Sequence, residues 1–170
     1  MKSNRVTVLL ASIAFAAATL QTAGAAEQAM AKLKNPKGES VGEVKLMQTP
    51  HGTLLHARFS NLPPGAHAYH VHTVGKCEPP FKSAGGHFNP GGKKHGFLAA
   101  DGLHAGDMPN IHVPASGSLE IEVLNTLLKL DSSLFDADGA AIVLHAGPDD
   151  YKTDPAGAAG ARIACGVIAK

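Results

Sequence analysis

Residues 70–107 read HVHTVGKCEPPFKSAGGHFNPGGKKHGFLAADGLHAGD and hold five of the chain's ten histidines: His70, His72, His87, His95 and His104. Beyond its first residues the stretch has neither the period of a helix nor that of a strand, and Gly and Pro are dense in it. A run this long without regular structure is uncommon inside a compact domain and is generally functional. Ordering it costs on the order of 1 kcal/mol of backbone entropy per residue. Metal coordination can offset that cost, because neutral imidazole and carboxylate are natural ligands of zinc and copper.

Around this stretch the chain alternates in short runs separated by turn residues. The runs are Gln28–Lys34, Ser40–Met47, Thr53–Phe59, Ala66–His72, Ile111–Val113, Leu119–Leu124, Ala140–His145 and Ile163–Ile168. Turns such as Asn35-Pro36-Lys37-Gly38 and Thr49-Pro50-His51-Gly52 punctuate them. The pattern predicts an all-β fold: an eight-stranded antiparallel Greek-key β-barrel or sandwich with two long functional loops, 73–110 and 146–162. At most one helical turn is expected between Asn125 and Gly139. In Ser40–Met47 the expected alternation sets Val41, Glu43 and Lys45 against Gly42, Val44 and Leu46.

Residues 1–25 read as a secretory signal peptide. Lys2 and Arg5 form a basic start, Val6–Leu20 is apolar and small, and Ala23-Gly24-Ala25 is a cleavage signature. The apolar run is short for a bilayer span. The domain is therefore expected over residues 26–170, in the periplasm and with no membrane role in the mature form. Removing Lys2 and Arg5 from the 15 basic residues leaves 13 against 14 acidic ones. That near-neutral balance, without a basic run, excludes a nucleic-acid partner. Two cysteines, Cys77 and Cys165, entering an oxidising compartment suggest a disulfide; buried free thiols and a copper–thiolate role are the other readings.

His70 and His72 lie at i and i+2 of a strand and share one face, with Tyr69 and Val71 turned to the core. His87, His95, His104 and Asp107 make a closed His₃Asp set that suits a structural zinc. His145 ends an apolar strand and can join His70, His72 and His87 in a four-nitrogen copper site. Together these sets need seven imidazoles, and the candidates are six. One ring must serve both metals, and His87, which follows the strand pair and heads the zinc set, is the natural bridge.

The segments His70-Val71-His72, Gly86-His87-Phe88-Asn89-Pro90, Lys94-His95-Gly96, His104-Ala105-Gly106-Asp107, His145 with Asp149-Asp150, and Arg162-Ile163-Ala164-Cys165-Gly166-Val167 resemble secreted bacterial copper–zinc superoxide dismutases. The resemblance runs from about Gln28 to Ile168. It implies one copper per subunit on His70, His72, His87 and His145, and one zinc on His87, His95, His104 and Asp107. It also implies a Cys77–Cys165 disulfide, a substrate-guiding Arg162 beside the copper, and Asp149 as the carboxylate tethering one ligand of each metal. Ala68 and Tyr69 stand where the family usually has Gly and Phe. Members of the family are monomers or homodimers, and the sequence marks no decisive apolar patch.

The function that follows is dismutation of superoxide to oxygen and hydrogen peroxide by copper cycling between Cu(II) and Cu(I), with Arg162 and His87 in catalytic roles. An exported copper/zinc storage or buffering protein of the same fold would use the same histidines, but a cation beside the copper, Arg162, does not serve metal uptake. A β-sandwich adhesion module would bind no stoichiometric metal. The second long loop carries only Asp149, Asp150, Lys152 and Asp154 as charges, so Lys76, Lys82, Lys93, Lys94 and Lys152 are the candidates for guiding an anion. Of the remaining histidines, His51 is expected in a turn, His56 and His112 as strand residues with local bonds, and His67 as a support of the site.

Overall fold

Strands β1 (Gln28–Lys34), β2 (Ser40–Thr49) and β3 (Gly52–Phe59) form an antiparallel meander in the computed structural model, which describes residues 26–170. The signal peptide expected over residues 1–25 lies outside the described residues. Ala29, Ala31 and Leu33 of β1 and Leu55, Ala57 and Phe59 of β3 are buried, while Lys32, Lys34 and Arg58 point outward. Period-two alternation thus places one face of each strand on the core.

In β2 the buried residues are Val41, Val44 and Leu46, so the simple alternation expected there breaks. Leu33 pairs with Gly42 and Lys34 with Ser40, which leaves Val41 as an extra residue. This irregularity resets the parity of the strand. Gly42 is required at the break: its φ is +146°, and a Cβ would lie 2.2 Å from the Arg58 carbonyl oxygen.

The expected strand Ala66–His72 is two strands. β4 (Gly65–His67) pairs with β6 (Ile111–Val113), and β5 (Tyr69–His72) pairs with β8 (Ala141–His145). Ala68 separates them: its N–H donates to Gly147 O and its carbonyl accepts from His145 N–H, both at 2.9 Å. With β7 (Leu119–Asn125) and β9 (Arg162–Ala169), the main sheet runs β5-β8-β9-β1-β2-β3-β7, every pair antiparallel. Taking β4 and β5 as one broken run recovers the expected eight. Residues 126–139 hold no helix; the one helical turn among the described residues is 3-10, Lys82–Ala84, inside the first long loop. No helix among them is long and apolar enough to cross a membrane.

What positions the site is the double burial of β5 and β8, in which every residue is buried. Tyr69, Val71, Ile142 and Leu144 join the main core. The opposite face carries His70, His72, Ala141, Val143 and His145, and the 73–110 loop covers it. Phe81 and Ala84 of that loop pack on Ala141, Val143 and Cys165. The Cys77–Cys165 disulfide, with a Cα–Cα separation of 5.6 Å, clips the loop to β9. An apolar patch not expected from sequence is present: exposed Phe97, Leu124 and Leu127 line one shallow cavity.

Candidate metal centre

The loop is fastened along the free edge of β5. Val71 N–H donates to Gly106 O at 2.9 Å, Phe88 N–H to Val71 O at 2.8 Å, and Thr73 N–H to Gly86 O at 3.0 Å. These bonds set His87 and Asp107 beside the strand histidines. Gly106 has to be glycine, because a Cβ there would lie 2.3 Å from the Val71 carbonyl oxygen.

His70, His72, His87 and His145 converge so that one ring nitrogen of each lies within 4.8 Å of the others. Each ring is oriented by its other nitrogen. His70 Nε2 meets Asp149 Oδ2 at 2.8 Å, His72 Nδ1 meets Gly85 O at 3.0 Å, His87 Nδ1 meets Asp107 Oδ1 at 2.8 Å, and His145 Nδ1 faces Gly160 O at 3.4 Å. The inward nitrogens, His70 Nδ1, His72 Nε2, His87 Nε2 and His145 Nε2, are buried without any hydrogen-bond partner in the protein. Four converging, buried, unpartnered imidazole nitrogens are costly unless something accepts their lone pairs. A cation that prefers a nitrogen set, such as copper, fits.

Burial holds these rings neutral, which is the form that binds metal. It lowers His72 to about 2, helped by the charge of His87 and then of Arg162. It lowers His145 to about 3, helped by His70, and His87 to about 4 against the opposing bond to Asp107. His70 is also lowered, by burial first.

His87, His95, His104 and Asp107 form a second buried group. Asp107 Oδ1 is its centre: the Nδ1 atoms of His87, His95 and His104 lie 2.8, 3.0 and 3.2 Å from it. Its Oδ2 accepts the backbone N–H of Gly96 at 2.9 Å and of His104 at 3.0 Å. His104 Nδ1 and His87 Nδ1 are 3.4 Å apart. Zinc bound tetrahedrally at about 2.0–2.1 Å requires ligand edges of roughly 3.3 Å, so this set fits that ion. Burial would raise the Asp107 pKa, but its bonds from His87 and His95 outweigh this and hold the carboxyl well below the usual range.

Asp149 joins the halves. Its Oδ2 bonds His70 Nε2 at 2.8 Å and its Oδ1 bonds His95 Nε2 at 3.0 Å, with both side chains fully buried. Burial disfavours a charged His95, yet Asp107 and Asp149 together lift it to about 9. Burial would likewise raise Asp149, and the bonds from His70 and His95 reverse that. Gly157 makes room for the carboxylate, since a Cβ there would lie 1.9 Å from Asp149 Oδ1.

Arg162 sits opposite His145 in the β8–β9 ladder, where the register shifts between Leu144 and His145. Its Nη1 donates to Phe81 O at 2.6 Å and its Nη2 to Gly85 O at 2.7 Å. Gly85 O is also the acceptor that orients His72. His67 supports the site from behind, its ring nitrogens 3.0 Å from His145 O and 2.8 Å from Pro63 O. Of the lysines expected to guide an anion, Lys76 pairs with Glu78 at 3.1 Å and Lys94 with Asp154 at 3.2 Å. His56 pairs with Glu120 on the exposed outer face of the sheet, away from the metal groups. Asn110 and Tyr151, not marked from the sequence, also contact the site; an Asn after a proline and a Tyr in a polar loop carry no pattern that points to a metal.

A family model described as copper/zinc superoxide dismutase matches residues 40–168. The chain is 55% identical over 144 residues to "Superoxide dismutase [Cu-Zn] 1" of Aquifex aeolicus, covering 81% of this chain and 85% of that one. It is 45% identical over 147 residues to "Superoxide dismutase [Cu-Zn]" of Caulobacter vibrioides, covering 82% and 84%. Among solved structures it is similar to a SOD-like protein from Bacillus subtilis, with a TM-score of 0.78, 36% identity, and coverage of 81% and 96%.

Proposed function

The chain belongs to the copper/zinc superoxide dismutase family, and we propose that it converts two superoxide ions and two protons to oxygen and hydrogen peroxide. The observation that carries this reading is the four unpartnered nitrogens of His70, His72, His87 and His145, walled in beside a complete His₃Asp set. In this reading copper is held by those four rings, and zinc by His87, His95, His104 and Asp107, so that His87 serves both. Bound copper supplies one-electron chemistry between Cu(II) and Cu(I), while zinc, enclosed by four protein ligands, is structural.

The protein's own groups do the rest. Arg162 keeps a fixed positive charge, since guanidinium does not deprotonate, and only two of its five N–H groups are committed to carbonyls. The others are free to bind a small anion. His87 Nε2 is an atom at which a proton can be held and passed on, while Asp107 beside Nδ1 fixes the ring's orientation. Asp149 keeps His70 and His95 in register with each other. We also infer that residues 26–170 are one exported domain behind a leader over 1–25, carried to the periplasm; the Cys77–Cys165 bridge, which is stable in an oxidising compartment, supports the export. Elemental analysis of the purified protein, with a superoxide-consumption assay on the same sample, tests the proposal. One copper and one zinc per chain with rapid turnover are expected; stoichiometric metal without turnover would make it a storage protein.

A further inference from the structure

Tyr151 reaches the Asp149 carboxylate by two routes. Its backbone N–H donates directly to Asp149 Oδ1 at 2.6 Å. Its hydroxyl accepts the Asn110 N–H at 2.7 Å, and Asn110 in turn clamps the Asp149 backbone with its side-chain amide. Asn110 Nδ2 donates to Asp149 O, and Asp149 N–H donates to Asn110 Oδ1, both at 2.8 Å. The one residue that bonds His70 and His95 together is thus held by Tyr151 from the front and, through Asn110, from behind.

The same tyrosine grips the loop that carries His95. Its carbonyl accepts Leu98 N–H at 2.9 Å, and its ring meets Phe97 edge-to-face with centroids 5.4 Å apart. Gly96, next to His95, allows the approach: a Cβ there would lie 2.0 Å from Tyr151 O. Tyr151 has φ +63°, a sparsely populated conformation for an aromatic residue, which persists only where surrounding contacts over-determine it.

We propose that Tyr151 is a positioning residue that locks Asp149 between the two metal groups, so that its hydroxyl governs how tightly the zinc set closes. This rests on the metal assignment above. Groups that orient metal ligands from outside the coordination sphere typically change metal affinity by 10–100-fold. A tyrosine that only packs its loop would act through its ring on Phe97, and its hydroxyl would be dispensable.

The test uses the fully metallated protein and follows zinc release to a coloured chelator, beside the visible absorption of bound copper. Tyr151→Phe keeps the ring and removes only the hydroxyl; zinc release should be faster by about tenfold, with a shifted copper band. Asn110→Ala cuts the same route one bond later and should move both readouts in the same direction. Phe97→Leu, which weakens the ring packing but spares the hydroxyl, should lower the melting temperature and leave zinc release as in the parent. Parent-like zinc release in Tyr151→Phe and Asn110→Ala, whatever their melting temperatures, overturns the role of Tyr151. A parent protein that takes up no zinc overturns the metal assignment itself, and this inference with it.

Discussion

The two halves of the metal centre are built from different materials. Three of the four rings proposed for copper, His70, His72 and His145, stand on β5 and β8, whose ladder sets the spacing of their backbones without any loop contact. The set proposed for zinc comes wholly from the 73–110 loop, gathered around one carboxylate oxygen of Asp107. Among the described residues, His87 and Asp149 are the only side chains bonded into both sets. The lesson is one of entropy: a strand pair provides half a site at no extra ordering cost, whereas the loop half must be held by cross-links, hydrogen bonds and the ion itself.

The largest effect is expected from the cross-link. The Cys77–Cys165 bridge closes 88 residues of chain, worth about 4–5 kcal/mol in the chain-entropy model. Cys77→Ser should lower the melting temperature by many degrees and loosen zinc before copper. Equal loss of both metals would show that the halves are not independent. Asp107→Ala comes next. It strips four donors of their acceptor, at a cost of about 3–5 kcal/mol. Zinc uptake should vanish while the strand histidines still take up copper, which metal titration of the variant checks.

Acid should expose the metal-free site. His72, His145 and His87 sit at about 2, 3 and 4 when folded, against an ordinary 6.5, so the unfolded chain takes up protons first as pH falls below about 7. Their contribution to stability is lost in that direction. His95, at about 9, works in the opposite sense: its contribution is full below 6.5 and is lost as pH rises toward 9. With His70, which burial also lowers, four rings against one make a net loss of about 2 kcal/mol between pH 7 and 6, measurable by denaturant titration of the chelator-treated protein. Stability that rises on acidification would mean the strand rings are not held neutral.

The smallest effect on the fold, and the one that speaks to rate, is at Arg162. Arg162→Ala should bind both metals and dismute roughly tenfold or more slowly, with Arg162→Lys between it and the parent and Arg162→Glu slowest. Because Arg162 also bonds Phe81 O and Gly85 O, all three variants should lose some stability. Equal rates at equal copper content would reduce the residue to a loop fastener. Lys76 and Lys94 are already paired with carboxylates, so guidance by lysines rests on Lys82, Lys93 and Lys152; the rate should fall as salt rises, and a rate indifferent to salt would remove the lysines from the approach path.

Much of this molecule is legible in its residues because the signals are local or exclusive. Period-two runs gave the strands to within a residue or two, and six histidines with one aspartate leave few ways to complete two metal sets. The sequence did not place the break at Ala68 or the parity change at Gly42. Both arise where a strand changes partner or gains an unpaired residue, and only the neighbouring chain dictates that. Asn110 and Tyr151 were illegible for a related reason: apart from the Tyr151 N–H bond to Asp149 two residues back, their bonds reach residues about 40 positions away, and no spacing encodes such a meeting. Residue types determined by themselves what chemistry the protein can hold, since imidazole, carboxylate and thiol have fixed appetites for metal, proton and oxidant. Tertiary structure alone decided which nitrogen of each ring is left free and which carboxylate oxygen is shared. Those choices depend on angles and distances of tenths of an ångström, set by packing a loop against the outer face of β5 and β8.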